Sequence, residues 1–206
     1  MSGTEDFERA ITFFRRSLPM REGELTDEEF DAGARLLLRV LDRAWEVVCP
    51  AARLRESFSD PRFDLAPFYY ALCVAAEKVG SEFRLGIDHE GLFLSASVAY
   101  PQHLSRVDDT TFALFFHLGA WRFQAWTAEI KAKSALYQLI AATCDEENLT
   151  DFGAIEVRWS PRIPWTEYLA LGAHALRVLH QINYRLYRIE YQQRAGRASS
   201  KRRRQQ

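Results

Sequence analysis

A chain of 206 residues, 48% hydrophobic and 13% aromatic with a net charge of −1, has the material for a sizeable folded core and falls outside the disordered class. Its three cysteines, Cys49, Cys73 and Cys144, are odd in number and widely spaced, which argues against a disulfide framework and for a reducing, cytoplasmic compartment. Glu5, Asp6 and Glu8 stand where a secretory signal carries positive charge, and the most hydrophobic uncharged stretch, Thr110 to Trp121, is too short to span a bilayer, so no membrane partner is expected.

Phe7, Ile11, Phe14 and Leu18 recur at helical spacing and predict a first helix over Glu5 to Leu18, stopped by Pro19. Thr26 and Glu29 have the spacing of a capping box, with Leu25 and Phe30 placed to close over it as a hydrophobic staple. The second helix then lines one side with Phe30, Ala34, Leu37, Leu41, Trp45 and Val48, sets Arg35, Arg39 and Arg43 on a solvated side, and ends at Pro50. Segment 51–64 is polar and turn-prone. Pro67 opens a third predicted helix, closed by Gly80 in the left-handed cap position. A β-hairpin over about 82–99 follows: Phe83, Leu85 and Ile87 alternate, and Asp88-His89-Glu90-Gly91 makes the turn.

Asp109 caps a short predicted helix through Phe112, Phe115 and Phe116 to Leu118, succeeded by a strand through Trp121 and Phe123. Residues 128–144 read as helix and Ala154 to Trp159 as strand; Pro161 and Pro164 then lead into a long final helix, Thr166 to Gln193. The expected fold class is α+β: one helix-dominated domain over 1–193 with a small, mostly antiparallel sheet, and a disordered basic tail over 194–206.

The final helix is unusual. Leu171, Ala175, Val178, Leu179, Ile182, Leu186 and Ile189 form an aliphatic stripe, and nearly opposite lie Ala173, Leu176, His180, Tyr184, Tyr187 and Tyr191. Between them on one edge sit His174, Arg177, Gln181, Arg185, Arg188 and Gln192. Two apolar stripes suit a helix buried on both sides; a tyrosine stripe beside arginines also suits a partner surface, since Tyr and Arg are enriched at binding hot spots. Charge is segregated along the chain as well. Residues 1–157 carry 16 Lys and Arg against 26 Asp and Glu, whereas residues 158–206 carry 11 against 2. That polarity bears on partners and not on fold.

Catalytic signatures are not evident. The ten glycines never cluster into a phosphate-binding loop, and His174 and His180 lie ~120° apart around a helix, a poor metal grip. Acidic neighbours Asp145, Glu146 and Glu147 disfavour a Cys144 thiolate, and Asp88-His89-Glu90 at a hairpin tip stays wet. No catalytic residue, metal or cofactor is therefore expected. The leading expectation is a non-catalytic binding or adaptor protein that engages nucleic acid or a nucleoprotein complex. Its contact residues would be Arg177, Tyr184, Arg185, Tyr187, Arg188, Tyr191, Arg194, Arg197, Lys201, Arg202, Arg203 and Arg204, with the three tyrosines open to water. Two alternatives stand beside it: a protein–protein or self-assembling module, and a small-molecule binder or enzyme with a pocket on the 110–126 aromatics.

Overall fold

A computed structural model describes residues 3–17, 25–66, 69–111, 122–123 and 154–203. The fold is α+β. In chain order it runs α1 (Gly3–Ser17), α2 (Asp27–Ala52), β1 (Arg62–Ala66), β2 (Tyr69–Ala76), β3 (Ser81–Asp88), β4 (Gly91–Ser97), a 3-10 helix (Pro101–Arg106), β5 (Arg122–Phe123), β6 (Ala154–Trp159) and α3 (Trp165–Arg203).

The strands form one antiparallel sheet in the order β1-β2-β3-β4-β6-β5. Strand alternation divides its residues into rows that run straight across the pairings. Leu72, Leu85, Leu94 and Val157 stand opposite one another, as do Val74, Phe83, Ala96 and Ile155. These rows face the helices and belong to one core with Phe7, Phe14, Leu37, Leu41, Val48, Leu176 and Leu179. Side chains buried to this degree contribute about 1.5–3 kcal/mol each, so the rows hold sheet and helices together.

Helix α1 buries Phe7, Ile11 and Phe14 at the expected spacing, with Ala10 and Phe13 beside them; Leu18 and Pro19 lie outside the described residues. Helix α2 opens on the expected capping box: Thr26 Oγ1 accepts from Glu29 N–H (3.2 Å), and Thr26 N–H donates to Glu29 Oε2 (2.9 Å). Phe30 meets the Phe13 ring at 5.9 Å and stays 43% exposed, so it does not face the core as expected. Pro50 lies inside α2 instead of ending it. The helix closes on Arg53 in the left-handed region (φ 54), whose N–H donates to Pro50 O.

The helix predicted over 67–80 is instead a strand at Tyr69–Ala76 followed by a turn through Gly80, and Pro67 lies outside the described residues. Tyr69 to Ala76 is nearly all apolar, and so short a run has no period that separates a buried strand from a buried helix. Here both faces are covered: Tyr70, Leu72 and Val74 join the main core, while Ala71 and Cys73 form a second cluster with Phe93 on the other face. Gly80 does adopt the left-handed conformation (φ 68), but in the turn joining two strands. The polar segment before it also contributes β1, enlarging the expected small sheet to six strands.

The hairpin matches its expectation. Asp88 Oδ1 accepts from Glu90 N–H and Gly91 N–H across a two-residue turn, and Gly91 (φ 135) packs against Trp159 O where a side chain has no room. Strand β6 spans the predicted residues. Helix begins at Asp109, and of the acidic pair Asp108-Asp109, which suits a helix N-cap, it is Asp108 that caps, accepting from Thr111 N–H and Oγ1–H at 2.8 Å each. The predicted helix through Phe112 to Leu118, Trp121 and the predicted helix over 128–144 lie outside the described residues.

Candidate functional site

Helix α3 packs against α2, β4, β6 and the 3-10 helix, which explains its two apolar stripes. Ala175, Val178, Leu179, Ile182 and Leu186 are buried on one side, and Ala173, Leu176 and His180 on the other. Gly172 gives α2 close access at Val48, whose Cγ2 would stand 3.2 Å from an added Cβ. Burial fades toward the C-terminus: Tyr184 and Tyr187 are half-buried against the core, and Tyr191 is 63% exposed. The expectation of three open tyrosines is thus corrected. Of the three, only Tyr191 is open; Tyr184 and Tyr187 pack against the core.

The tyrosines finish a ladder of rings that starts deep in the core. Trp45, Phe58 and Phe83 meet edge to face; Phe83 then stacks on His180 (6.4 Å), His180 on Tyr184 (6.2 Å), and Tyr184, Tyr187 and Tyr191 follow at 6.3 and 6.1 Å. A buried polar contact fixes the middle rung. His180 Nε2 lies 2.9 Å from Glu56 Oε2, and the other Glu56 oxygen accepts the Lys78 and Ser57 N–H groups. Lys78 places its ammonium 5.0 Å from the Tyr184 ring centroid, covering that ring with a cation. A recess of about 400 Å³, lined by Arg55, Glu56, Ser57, Glu77 and Lys78, opens beside it.

The predicted cations divide by what holds them. Arg177 donates from Nε to Ala52 O (3.1 Å) and from Nη2 to Ala51 O (3.2 Å), capping the orphan carbonyls of α2. Its role in this fold is therefore structural. Arg194 is paired with Glu190 (2.6 Å), which also lies 2.7 Å from the buried His103 ring. His103, Arg194 and the bonds they make hold the Glu190 carboxyl below its ordinary range. Arg185, Arg188 and Arg197 are exposed and make no ion pair among the described residues, although Arg185 is near enough to Asp108 to help depress its carboxyl, after the Thr111 bonds.

The expected tail over 194–206 is helical as far as the description goes. Helix α3 runs through Arg194, Arg197, Lys201 and Arg202 to Arg203, and Arg204 lies outside the described residues. Through Arg203 the helix formers Ala, Arg and Lys outnumber the weaker Gly196, Ser199 and Ser200, and the Glu190–Arg194 pair supports the junction. Glu56 and Lys78 were not candidates from sequence; Lys78 sat in the segment misread as helix, and no local pattern ties either residue to α3.

The aromatic pocket expected over 110–126 falls almost wholly outside the described residues. An open groove of about 1150 Å³ runs between α1 and α2, lined among others by Glu8, Phe13, Glu29, Leu36, Asp42 and Arg43; none of its described lining residues comes from α3. Among the described residues no cluster of His, Cys, Asp and Glu could hold a metal ion, and no helix is long and apolar enough to cross a membrane. Comparison with protein-family models, curated proteins and solved structures finds no match to this chain.

Proposed function

We propose that this chain is a non-catalytic binding protein whose electropositive C-terminal helix engages an anionic partner, with nucleic acid or a nucleoprotein complex favoured. The observation that carries this reading is the row of exposed cations on α3. Arg185, Arg188 and Arg197 lack ion-pair partners among the described residues, Tyr191 between them is open, and the same helix continues through the sequence Lys201-Arg202-Arg203. Like charges on one rigid rod repel, and an anionic polymer relieves that repulsion while releasing its condensed counterions. We place this activity in the cytoplasm, in keeping with the free thiols of Cys49 and Cys73.

Fluorescence anisotropy with labelled DNA and RNA at 50 and 200 mM salt (roughly the range over which phosphate contacts weaken by orders of magnitude) tests the reading. Binding should fall steeply with salt and be lost when residues 194–206 are deleted and Arg185 and Arg188 become Gln. Arg177 is left intact, since its loss uncaps α2. Salt-insensitive binding, or none at low salt, overturns the reading; oligomers in light scattering of nuclease-treated protein would then favour the self-assembling alternative.

A further inference from the structure

The ring ladder ends in a single open ring, Tyr191. Tyr184 has its face covered by Lys78, and Tyr187 is half-buried between its neighbours, so Tyr191 offers the accessible ring. It sits on the edge of the cationic strip, three residues from Arg188 and hence on the same side of the helix. A duplex keeps its base faces stacked inside and presents phosphates and base edges, for which arginines suffice and an aromatic ring adds nothing. A single strand exposes base faces, and an aromatic platform flanked by guanidinium groups takes them without regard to sequence.

We propose that the partner is single-stranded nucleic acid, with a base stacked on Tyr191 and the adjoining phosphates met by Arg185 and Arg188. This rests on the reading above and names the form of its ligand. The ladder serves it by holding Tyr191 against Tyr187, so that less side-chain freedom remains to be lost when a base stacks.

The full chain is titrated by anisotropy with a labelled 20-nucleotide single strand, as DNA and as RNA, and with the matching duplexes. Single strands should bind at least about tenfold tighter than duplexes. Tyr191→Ala should weaken single-strand binding about tenfold, the worth of one base–aromatic stack, and leave duplex binding unchanged, while Tyr191→Phe retains wild-type affinity. Because Tyr191 is 63% exposed, these variants fold as the parent does, which circular dichroism verifies. Equal affinity for strand and duplex, or an equal loss on both with Tyr191→Ala, overturns the single-strand proposal and leaves nucleic-acid binding standing. Failure to bind any of the four probes at low salt overturns both.

Discussion

Glu56 Oε2 and His180 Nε2 meet at 2.9 Å across 124 residues of sequence, and the Glu56 side chain is fully shielded from water. This contact ties the loop after α2 to the middle of α3, and Glu56 additionally anchors the turn between β2 and β3 through Lys78 N–H. Removing the carboxylate takes the acceptor from Lys78 N–H and Ser57 N–H and the partner from the buried His180 ring at once. Glu56→Ala should therefore destabilise the fold by about 2–4 kcal/mol, and Glu56→Gln, which keeps an acceptor for the backbone, by less. Urea midpoints of the two variants against the parent measure the difference; equal midpoints would show the contact to be dispensable.

Across the sheet, Asp88 and Arg158 form a two-pronged pair, 2.7 Å on each arm, and Arg158 also reaches Glu156 and Glu90. Burial alone would raise the Asp88 carboxyl, but the Arg158 guanidinium and the Glu90 N–H outweigh it and hold the carboxyl below its ordinary range. A depressed folded-state value contributes stability that is complete above the unfolded carboxylate value and lost as pH falls through the folded one. Stability attributable to Asp88 should hold from neutral pH down to about pH 5 and decline below about pH 4. Asp88→Asn should be less stable at pH 7 and show a shallower acid limb when urea midpoints are followed from pH 7 to pH 2.5.

Helix propensity and packing make opposite predictions at Gly33. Alanine in a helix interior is favoured over glycine by about 1 kcal/mol, yet a Cβ at Gly33 would overlap the ring of Phe13, which is itself buried. The ring must move, opening the contact between α1 and α2. Gly33→Ala should lower stability by about 1–3 kcal/mol, and a thermal melt above the parent's would contradict the packing argument.

Burial pushes the thiols of Cys73 and Cys49 up from their ordinary value, and Cys73 is wholly inaccessible on the sheet. In a Cys144→Ser chain, a maleimide at neutral pH should label the half-buried Cys49 slowly and Cys73 only on unfolding. Two rapid equivalents of label in the native protein would be the contrary result.

Local grammar was legible where one element could satisfy itself. The Thr26–Glu29 box, the Asp88–Gly91 turn and the alternation of Phe83, Leu85 and Ile87 each encode their geometry within a few residues, and the structure reproduces all three. Tyr69–Ala76 was not legible, since a short apolar run takes its conformation from whichever surfaces cover it. The candidate site divides in the same way. The wheel placed the tyrosines and arginines on adjacent strips of α3, as found, but it could not assign Arg177 to the end of α2 or Lys78 to the face of Tyr184.

By itself, then, the sequence determined the α+β class, the capping box that opens α2, the Asp88–Gly91 turn and the crowding of positive charge into the last quarter of the chain. Which tyrosine is open, and which arginines are already engaged, was decided by tertiary packing alone. Exposure is a property of what lies opposite a side chain, and on α3 what lies opposite comes from α2, from the sheet and from loops more than a hundred residues away.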